Sequence, residues 1–577
     1  MRIKILALTL TTIALLTACG DDDDLDPVGI SSVTSSTDTD DDTSTTSYTI
    51  PDYDDDYSSI ASWSNKDSWN LANVHDPSVA YWTDGYYYMF GTDASYGNEH
   101  ENCTSGKHFQ GKRSKDLVNW EWVPGPMDAA PDWVADSLNN IRSRMGLDAI
   151  ADDDISYGYW APVIRQITVD GETKLRMYYS IVIDNYIGNG LANTTANFDY
   201  TWTERAFIGM TETTDPNGGP DSWTDMGYVV CSSSDKGTDY SRASSSDYDA
   251  YFYYNAIDPT YIVTPEDEHW LIYGSWHSGF AALQLDPSTG KPLNDLGEPY
   301  ADSASDLAER YGRRVGTRTA SSRWQGSEGP EIIYKDGYYY LFMAYDALDV
   351  PYNTRVVRST SIDGSEASYY DITGRNFTNG RGDCYPIVTH PYNFAQHSGW
   401  VGISHCCIFQ DADDEDQWYY MSQARLPANT NGNAYSNAIM MGHVRKIVWA
   451  PSSASALDDL WPIALPERYA GIPDLGTITA DSLVGKWQFI DLAYSYGNQQ
   501  SNADSYLVLS EDGTYSGPIE GTWTYDEENK YLYLDDIVVC VEREADWEED
   551  PRVATFVFAG YAGASNSYAT WWGKKAQ

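Results

Sequence analysis

Basic residues are scarce in this chain. Its 577 residues include 36 Lys and Arg against 86 Asp and Glu, a formal charge of −50. A protein that neutralises nucleic acid needs clustered cations, so a polyanionic partner is excluded. Beyond the N-terminus no segment is long and apolar enough to cross a bilayer. Cysteine is also sparse: the seven Cys match neither Cys-x-x-Cys nor a zinc-ligand spacing, and their spacing assigns no disulfide. There is no His-Glu-x-x-His and no nucleophile elbow. Gly188-Asn189-Gly190 fits no phosphate loop, and Arg381-Gly382-Asp383 is a bare tripeptide. Aromatic residues, by contrast, are plentiful at 14%, with 47 Tyr. Disorder throughout is therefore excluded, and at roughly 100–200 residues per domain more than one folding unit is expected.

The N-terminus reads as a targeting segment rather than as part of a fold. Arg2 and Lys4 precede an apolar stretch from Ile5 to Leu16, too short to span a bilayer. Leu16-Thr17-Ala18-Cys19 resembles a bacterial lipobox, which implies a signal peptide over 1–18 and lipidation of Cys19. Residues 19–57 follow with 13 Asp and no basic residue, a composition that predicts a disordered tether. The Asp run after Cys19 resembles the export signal of lipoproteins displayed on some Gram-negative cells. The expected location is the outer-membrane surface, with the lipid as the only membrane contact. Without residues 1–57 the body still holds 34 basic against 73 acidic residues, a net −39.

From residue 58 to 470 the chain reads as all-β, without sustained helical periodicity. An apolar strand, an acidic turn and an aromatic strand recur five times. The turns are Asp84-Gly85, Asp170-Gly171, Glu266 to Glu268, Asp336-Gly337 and Asp411 to Asp416. Five tandem hairpin units suggest a propeller with elaborated loops, the alternative being a large β-sandwich. The Ser/Gly/Asp-rich stretches around 211–250 and 287–327 are then expected as surface loops. Pro466 to Ser482 reads as a linker. Residues 483–577 show short alternating strands with tight turns, which predict a small β-barrel or β-sandwich.

Three repeats begin with an acid close to a Pro: His75-Asp76-Pro77, Ile257-Asp258-Pro259 and Glu328-Gly329-Pro330. In a propeller the first strands converge on the axis, so these acids would face one another. Mutual repulsion and burial would then separate their pKa values into an acid and a base. One such acid alone would more simply be accepting backbone hydrogen bonds at a strand start. Three in register favour chemistry.

These elements, with Tyr159-Trp160-Ala161-Pro162, Asn255-Ala256-Ile257-Asp258-Pro259 and Tyr273-Gly274-Ser275-Trp276-His277, resemble glycoside hydrolase family 43 over roughly residues 70–470. Within it they resemble the endo-acting α-1,5-L-arabinanases. The resemblance implies a five-bladed β-propeller and hydrolysis of arabinan, a pectin side chain, with inversion. Asp76 would be the general base, Glu328 the general acid and Asp258 the residue that raises the acid's pKa. Trp160 and Trp276 would contact sugar, and Asn255, Ala256, Ile257, Asp258 and Ser275 would offer groups to hydroxyls. His405, in Ser404-His405-Cys406, stands where the family places a His near a calcium or other ion. A hydrogen-bonded core His is the equal alternative, since a hard cation prefers oxygen ligands. No organic cofactor is expected, and the protein is expected to be a monomer. Two other readings are an exo-acting arabinofuranosidase or β-xylosidase of the same family, and a non-catalytic glycan-binding lipoprotein. The second has no need of all three carboxylates.

Overall fold

The computed structural model describes residues 48–52, 63–93, 105–144, 148–183, 205–233, 254–276, 279–299, 310–318, 325–348, 351–378, 383–395, 397–427, 430, 440–473, 475–496, 500–564 and 567–577. The signal segment, Cys19, most of the expected tether and Cys103 lie outside these residues.

Residues 50–577 form one compact unit. It contains five four-stranded antiparallel sheets. The first holds β1 (Ser78–Tyr81), β2 (Tyr87–Phe90), β3 (Gly111–Ser114) and β4 (Glu121–Val123). The second holds β5 (Tyr157–Val169), β6 (Glu172–Ile183), β7 (Arg205–Thr213) and β8 (Trp223–Cys231). The third holds β9 (Thr260–Val263), β10 (His269–Tyr273), β11 (Phe280–Leu285) and β12 (Arg313–Gly316). The fourth holds β13 (Ser327–Lys335), β14 (Tyr338–Tyr345), β15 (Asn353–Ser359) and β16 (Ile387–Thr389). Outside the blades lies the short β17 (Tyr392–Asn393). The fifth sheet holds β18 (Cys407–Gln410), β19 (Trp418–Ala424), β20 (Met441–Ser453) and β21 (Ala456–Ala464). Each sheet opens on one of the five recurring hairpins. At Asp170-Gly171 and Asp336-Gly337 both turn residues have positive φ, the backbone that lets a two-residue turn follow the strand twist.

The first strands β1, β5, β9, β13 and β18 touch in succession, and β18 returns to β1. The fold is thus a five-bladed propeller. Leu71 to Val74 fasten the ring: Gly442 N–H donates to the Leu71 carbonyl at 2.7 Å and Val74 N–H to that of Met440 at 3.1 Å. The apolar core is divided between the blades. Phe90, Ile164 and Tyr179 pack between the first two, and Tyr178, Tyr261 and Leu271 between the next pair.

One polar device repeats inside the ring. In four of the five first strands one polar side chain near the strand start faces the next blade. Ser78 Oγ accepts from Ile164 N–H at 3.0 Å, Thr260 Oγ1 from Ile332 N–H at 3.3 Å, Glu331 Oε1 from Ile408 N–H at 3.1 Å and Cys407 Sγ from Val79 N–H at 3.3 Å. Blade two has Val163 there, which offers no acceptor. Arg165 from the same blade instead reaches Glu331 at 2.6 Å, and Thr260 donates to the other Glu331 oxygen at 2.7 Å. This hub ties blades two, three, four and five together through the buried Glu331.

The C-terminal unit is a closed barrel of β22 (Gly485–Asp491), β24 (Ser505–Leu509), β25 (Thr514–Ser516), β26 (Gly521–Asp526), β27 (Tyr531–Leu534), β28 (Ile537–Asp546), β29 (Val553–Ala564) and β30 (Ser567–Lys575). Trp487, Leu507, Leu532 and Phe558 fill its interior. Between β22 and β24, β23 (Ser501–Asn502) pairs in parallel with β17 of the propeller. Tyr561 of the barrel also donates to the Pro462 carbonyl at 2.5 Å.

Several expectations need correction. A 13-residue helix, α1 (Asp132–Arg144), precedes the second blade. Val134, Leu138 and Ile141 are its buried face, a helical spacing following Pro131 that the all-β reading passed over. The stretches expected as loops contain β8 and β12, each an outer strand of its sheet. The expected linker is docked: Glu467 and Arg468 are buried, and a short helix, α2 (Ala480–Leu483), leads into the barrel. At the end of the expected tether Ile50 packs on Ala470, Ala545 and Trp547, because it is an apolar residue beside an apolar recess. The cysteines Cys231, Cys384, Cys406, Cys407 and Cys540 are free thiols and buried.

Candidate active site

One residue at each blade entrance adopts a left-handed backbone, two residues before β1, β9 and β18 and at the register break inside β5 and β13: Asp76 (φ 44°), Ala161 (41°), Asp258 (53°), Gly329 (54°) and His405 (55°). Such a conformation costs an L-residue about 1–2 kcal/mol and persists only where the surroundings enforce it. Five equivalent kinks therefore crown one end of the propeller. Asp76 and Asp258 occupy the kink itself. Glu328 stands one position earlier, equivalent to His75, Trp160, Ile257 and Ser404, so the three acids are not in strict register. Gly329 is required at its kink: a Cβ there would lie 2.8 Å from the His405 ring.

Asp76 gathers three partners. His405 Nδ1 lies 2.9 Å from Oδ1, Thr92 Oγ1 donates to Oδ2 at 2.6 Å, and His75 Nε2 lies 3.6 Å from Oδ1. Gln423, 347 residues away, accepts from the Asp76 N–H at 2.5 Å. Burial acts to raise its pKa, but the charges of His405 and His75 and the hydrogen bonds outweigh this and hold it well below the carboxylate range. For His405 burial again opposes the charge, yet Asp76, Asp258 and Glu328 push it up to about 10. That shift keeps the half-buried imidazole charged at neutral pH.

The other two acids shift the opposite way. Asp258 is buried, and its Oδ2 accepts the Gly329 N–H at 3.1 Å. Burial raises its pKa against the pull of His405, and the charge of Asp76 adds to the rise. Glu328 accepts from Tyr352 Oη at 2.5 Å and from Trp276 Nε1 at 2.7 Å. Burial and the neighbouring Asp258 push it up to about 7 despite those two bonds. One end of the propeller therefore holds a carboxylate that stays ionised and a carboxyl that keeps its proton to near neutrality. Such a pair can supply a base and an acid at one pH.

The other expected site residues divide. Trp276, with φ 54°, is partly exposed, packs its ring over Gly326 and bonds Glu328, so it serves the acid directly. Trp160 is partly exposed against Val182, Ala206 and Ile257. Asn255, Ala256 and Ile257 are buried. Ser232 Oγ donates to Asn255 Oδ1 at 2.8 Å and accepts from Ala256 N–H at 3.0 Å, so these residues hold the approach to Asp258 rather than reach toward a ligand. The Ser275 hydroxyl is buried next to Asp258 and favours its ionised form. His277 lies outside the described residues. Thr92, Tyr352 and Gln423 had no motif around them, and the sequence reading missed them.

The donor set at His405 suits a hard cation poorly. Its Nδ1 is engaged with Asp76, and a ring nitrogen is not the oxygen donor that such a cation prefers. Among the described residues the three-ligand cluster is Glu467, Asp546 and Glu548, and it surrounds the ammonium of Lys574.

Comparison with known proteins agrees with this architecture. The model of a C-terminal lipocalin-like domain matches residues 466–573. An extracellular endo-α-(1→5)-L-arabinanase of Thermotoga petrophila is 27% identical over 473 residues, covering 78% of this chain and 82% of the relative. Extracellular endo-α-(1→5)-L-arabinanase 2 of Bacillus subtilis is 23% identical over 481 residues, covering 80% and 84%. The crystal structure of an endo-1,5-α-L-arabinanase from Thermotoga petrophila superimposes with a TM-score of 0.60 at 22% identity, over 88% of this chain and 99% of that one, a likeness of fold. The model of glycosyl hydrolases family 43 matches residues 71–450, two thirds of the chain and the whole run of kinks and carboxyls, and the chain belongs to that family.

Proposed function

We propose that this protein is an endo-acting arabinanase that hydrolyses internal α-1,5-L-arabinofuranosidic bonds with inversion. Asp76 takes the proton of the attacking water and Glu328 gives its proton to the leaving oxygen. Asp258, through its charge and its bond to Gly329, keeps Glu328 protonated. The observation that carries this reading is the opposed ionisation of Asp76 and Glu328 at one end of the propeller. Inversion needs the two carboxyls about 6.5–9.5 Å apart, so that a water fits between base and sugar. The names of the relatives support arabinan as the substrate. A neutral polysaccharide also suits a body of net charge −39, which would repel an unesterified pectin backbone.

The test is digestion of linear arabinan with product sizing. Oligosaccharides at early times are expected. Arabinose alone would make the enzyme exo-acting, and binding without turnover would make it a glycan-binding module. Anomeric NMR of the first product reads inversion directly.

Lipidation of Cys19 and display on the outer membrane belong to the same proposal. They predict that Cys19→Ala releases the protein from the membrane fraction and removes the lipid mass. Calcium at His405 would have to use Nε2 and water oxygens. Elemental analysis of the purified protein, with assay after chelation, tests it. A monomer is expected by light scattering.

A further inference from the structure

The barrel reaches the segment that carries Glu328. Tyr494, just beyond β22, donates its hydroxyl to Asp346 Oδ2 at 2.5 Å. The same hydroxyl accepts from Arg318 Nη2 at 3.0 Å and from Gln325 Nε2 at 3.2 Å. Arg318 and Asp346 are themselves an ion pair at 2.5 Å, with both side chains buried. The two residues converge on one carbonyl: Gly326 O accepts from Arg318 Nη1 at 2.9 Å and from Asp346 N–H at 3.0 Å.

Gly326 bears on the acid by two routes. It lies two residues before Glu328 in the chain. It also lies under the Trp276 ring, where a Cβ would come within 2.4 Å, and Trp276 Nε1 donates to Glu328. The Trp276 N–H in turn donates to the Ser327 carbonyl at 2.9 Å. Movement of Gly326 would therefore shift both the backbone that carries Glu328 and the indole that bonds it.

We propose that Tyr494 is a positioning residue for Glu328, so that the C-terminal barrel is a working part of the active site rather than a separate appendage. The inference rests on the reading of Glu328 as the general acid. With Tyr494 in place, Gln325 to Ser327 are clamped between the barrel and β14. Without its hydroxyl, Asp346 and Gln325 each lose a partner, Gly326 loosens and water enters around Glu328. Burial is what holds the Glu328 proton, so entry of water lets that proton go at lower pH.

The experiment uses the full chain and two variants. Tyr494→Phe keeps the ring and removes the hydroxyl. Tyr561→Phe removes an equally short barrel-to-propeller bond that is not connected to Gln325–Glu328. For Tyr494→Phe, kcat on linear arabinan is expected to fall about tenfold with KM nearly unchanged. The basic limb of its kcat/KM profile should move down by about 0.5 pH unit or more. The Glu328 titration, read from the protonated-carboxyl infrared band that Glu328→Gln deletes, should shift the same way and needs no substrate. Tyr561→Phe should move the melting temperature only. An unshifted Glu328 titration in Tyr494→Phe overturns the inference, and so does an equal shift in Tyr561→Phe. If the infrared shift appears but wild type releases nothing from arabinan, the inference stands and the substrate reading fails.

Discussion

Two clusters in this molecule have the same composition, three carboxyls and one cation, and opposite behaviour. In the first, Lys574 of β30 lies 2.7 Å from Asp546 and 3.1 Å from Glu467, and it pairs with Glu548 as well. Its side chain is fully buried, and the cluster joins the barrel to the end of the propeller. In the second, His405 pairs at 2.9 Å with Asp76, and among the described residues it forms no ion pair with Asp258 or Glu328. Sharing one cation among three acids closes a cluster and makes it structural. Giving the cation to a single acid divides the cluster. Asp76 is held ionised, whereas Asp258 and Glu328 are left with burial and each other, which favours retention of a proton. Backbone strain follows the same division, since Asp76, Asp258 and His405 all sit at left-handed kinks.

The largest expected effect comes from removing the divided cluster's chemistry. Asp76→Asn or Glu328→Gln should reduce reducing-sugar release from arabinan by more than about a hundredfold while the melting curve is preserved. Near-full activity in either variant would break the assignment. The sealed cluster should respond in stability instead. Lys574→Met leaves three acids without their cation, and urea unfolding should show a loss of about 3–5 kcal/mol. The pH profile of the remaining folded enzyme should stay in place. A stable Lys574→Met protein would mean that the acids are not held as described.

Two smaller effects sharpen the contrast. His405 favours the charged form of Asp76, so His405→Gln should raise the Asp76 pKa and move the acidic limb of kcat/KM up by about 1–3 pH units. In wild type that limb should lie below the usual carboxylate range, and the basic limb should fall near pH 7, where Glu328 loses its proton. Tyr352 favours the charged form of Glu328. Tyr352→Phe should therefore move the basic limb upward, by no more than about one pH unit, the value of a single hydrogen bond. A downward movement would show that water filling the place of the lost hydroxyl solvates the Glu328 carboxylate better than the phenol did.

Much of this was legible in the residues. Acidic turns between an apolar and an aromatic strand marked all five blades, and at Asp170-Gly171 and Asp336-Gly337 the two-residue turn needs the backbone that Asp and Gly tolerate. Acids beside Pro marked the blade entrances, and short alternating strands marked the barrel. Helix α1 was legible as well, in Pro131 and the spacing of Val134, Leu138 and Ile141, but it is one helix among strands and the all-β pattern around it masked it. Thr92, Tyr352 and Tyr494 were not legible. Each acts through one hydroxyl on a partner brought near by the fold, and one hydroxyl leaves no pattern in a chain with 47 Tyr.

The sequence by itself thus determined the kind of fold and the number of blades. These follow from local rules of turn chemistry and strand alternation that act over a few residues. Only the tertiary structure decided which acid keeps its proton, which acid His405 serves, and that a tyrosine from the barrel stands behind Glu328. Those outcomes depend on burial and on charges a few ångströms apart in space, between groups as distant in the chain as Asp76 and His405 or Glu328 and Tyr494.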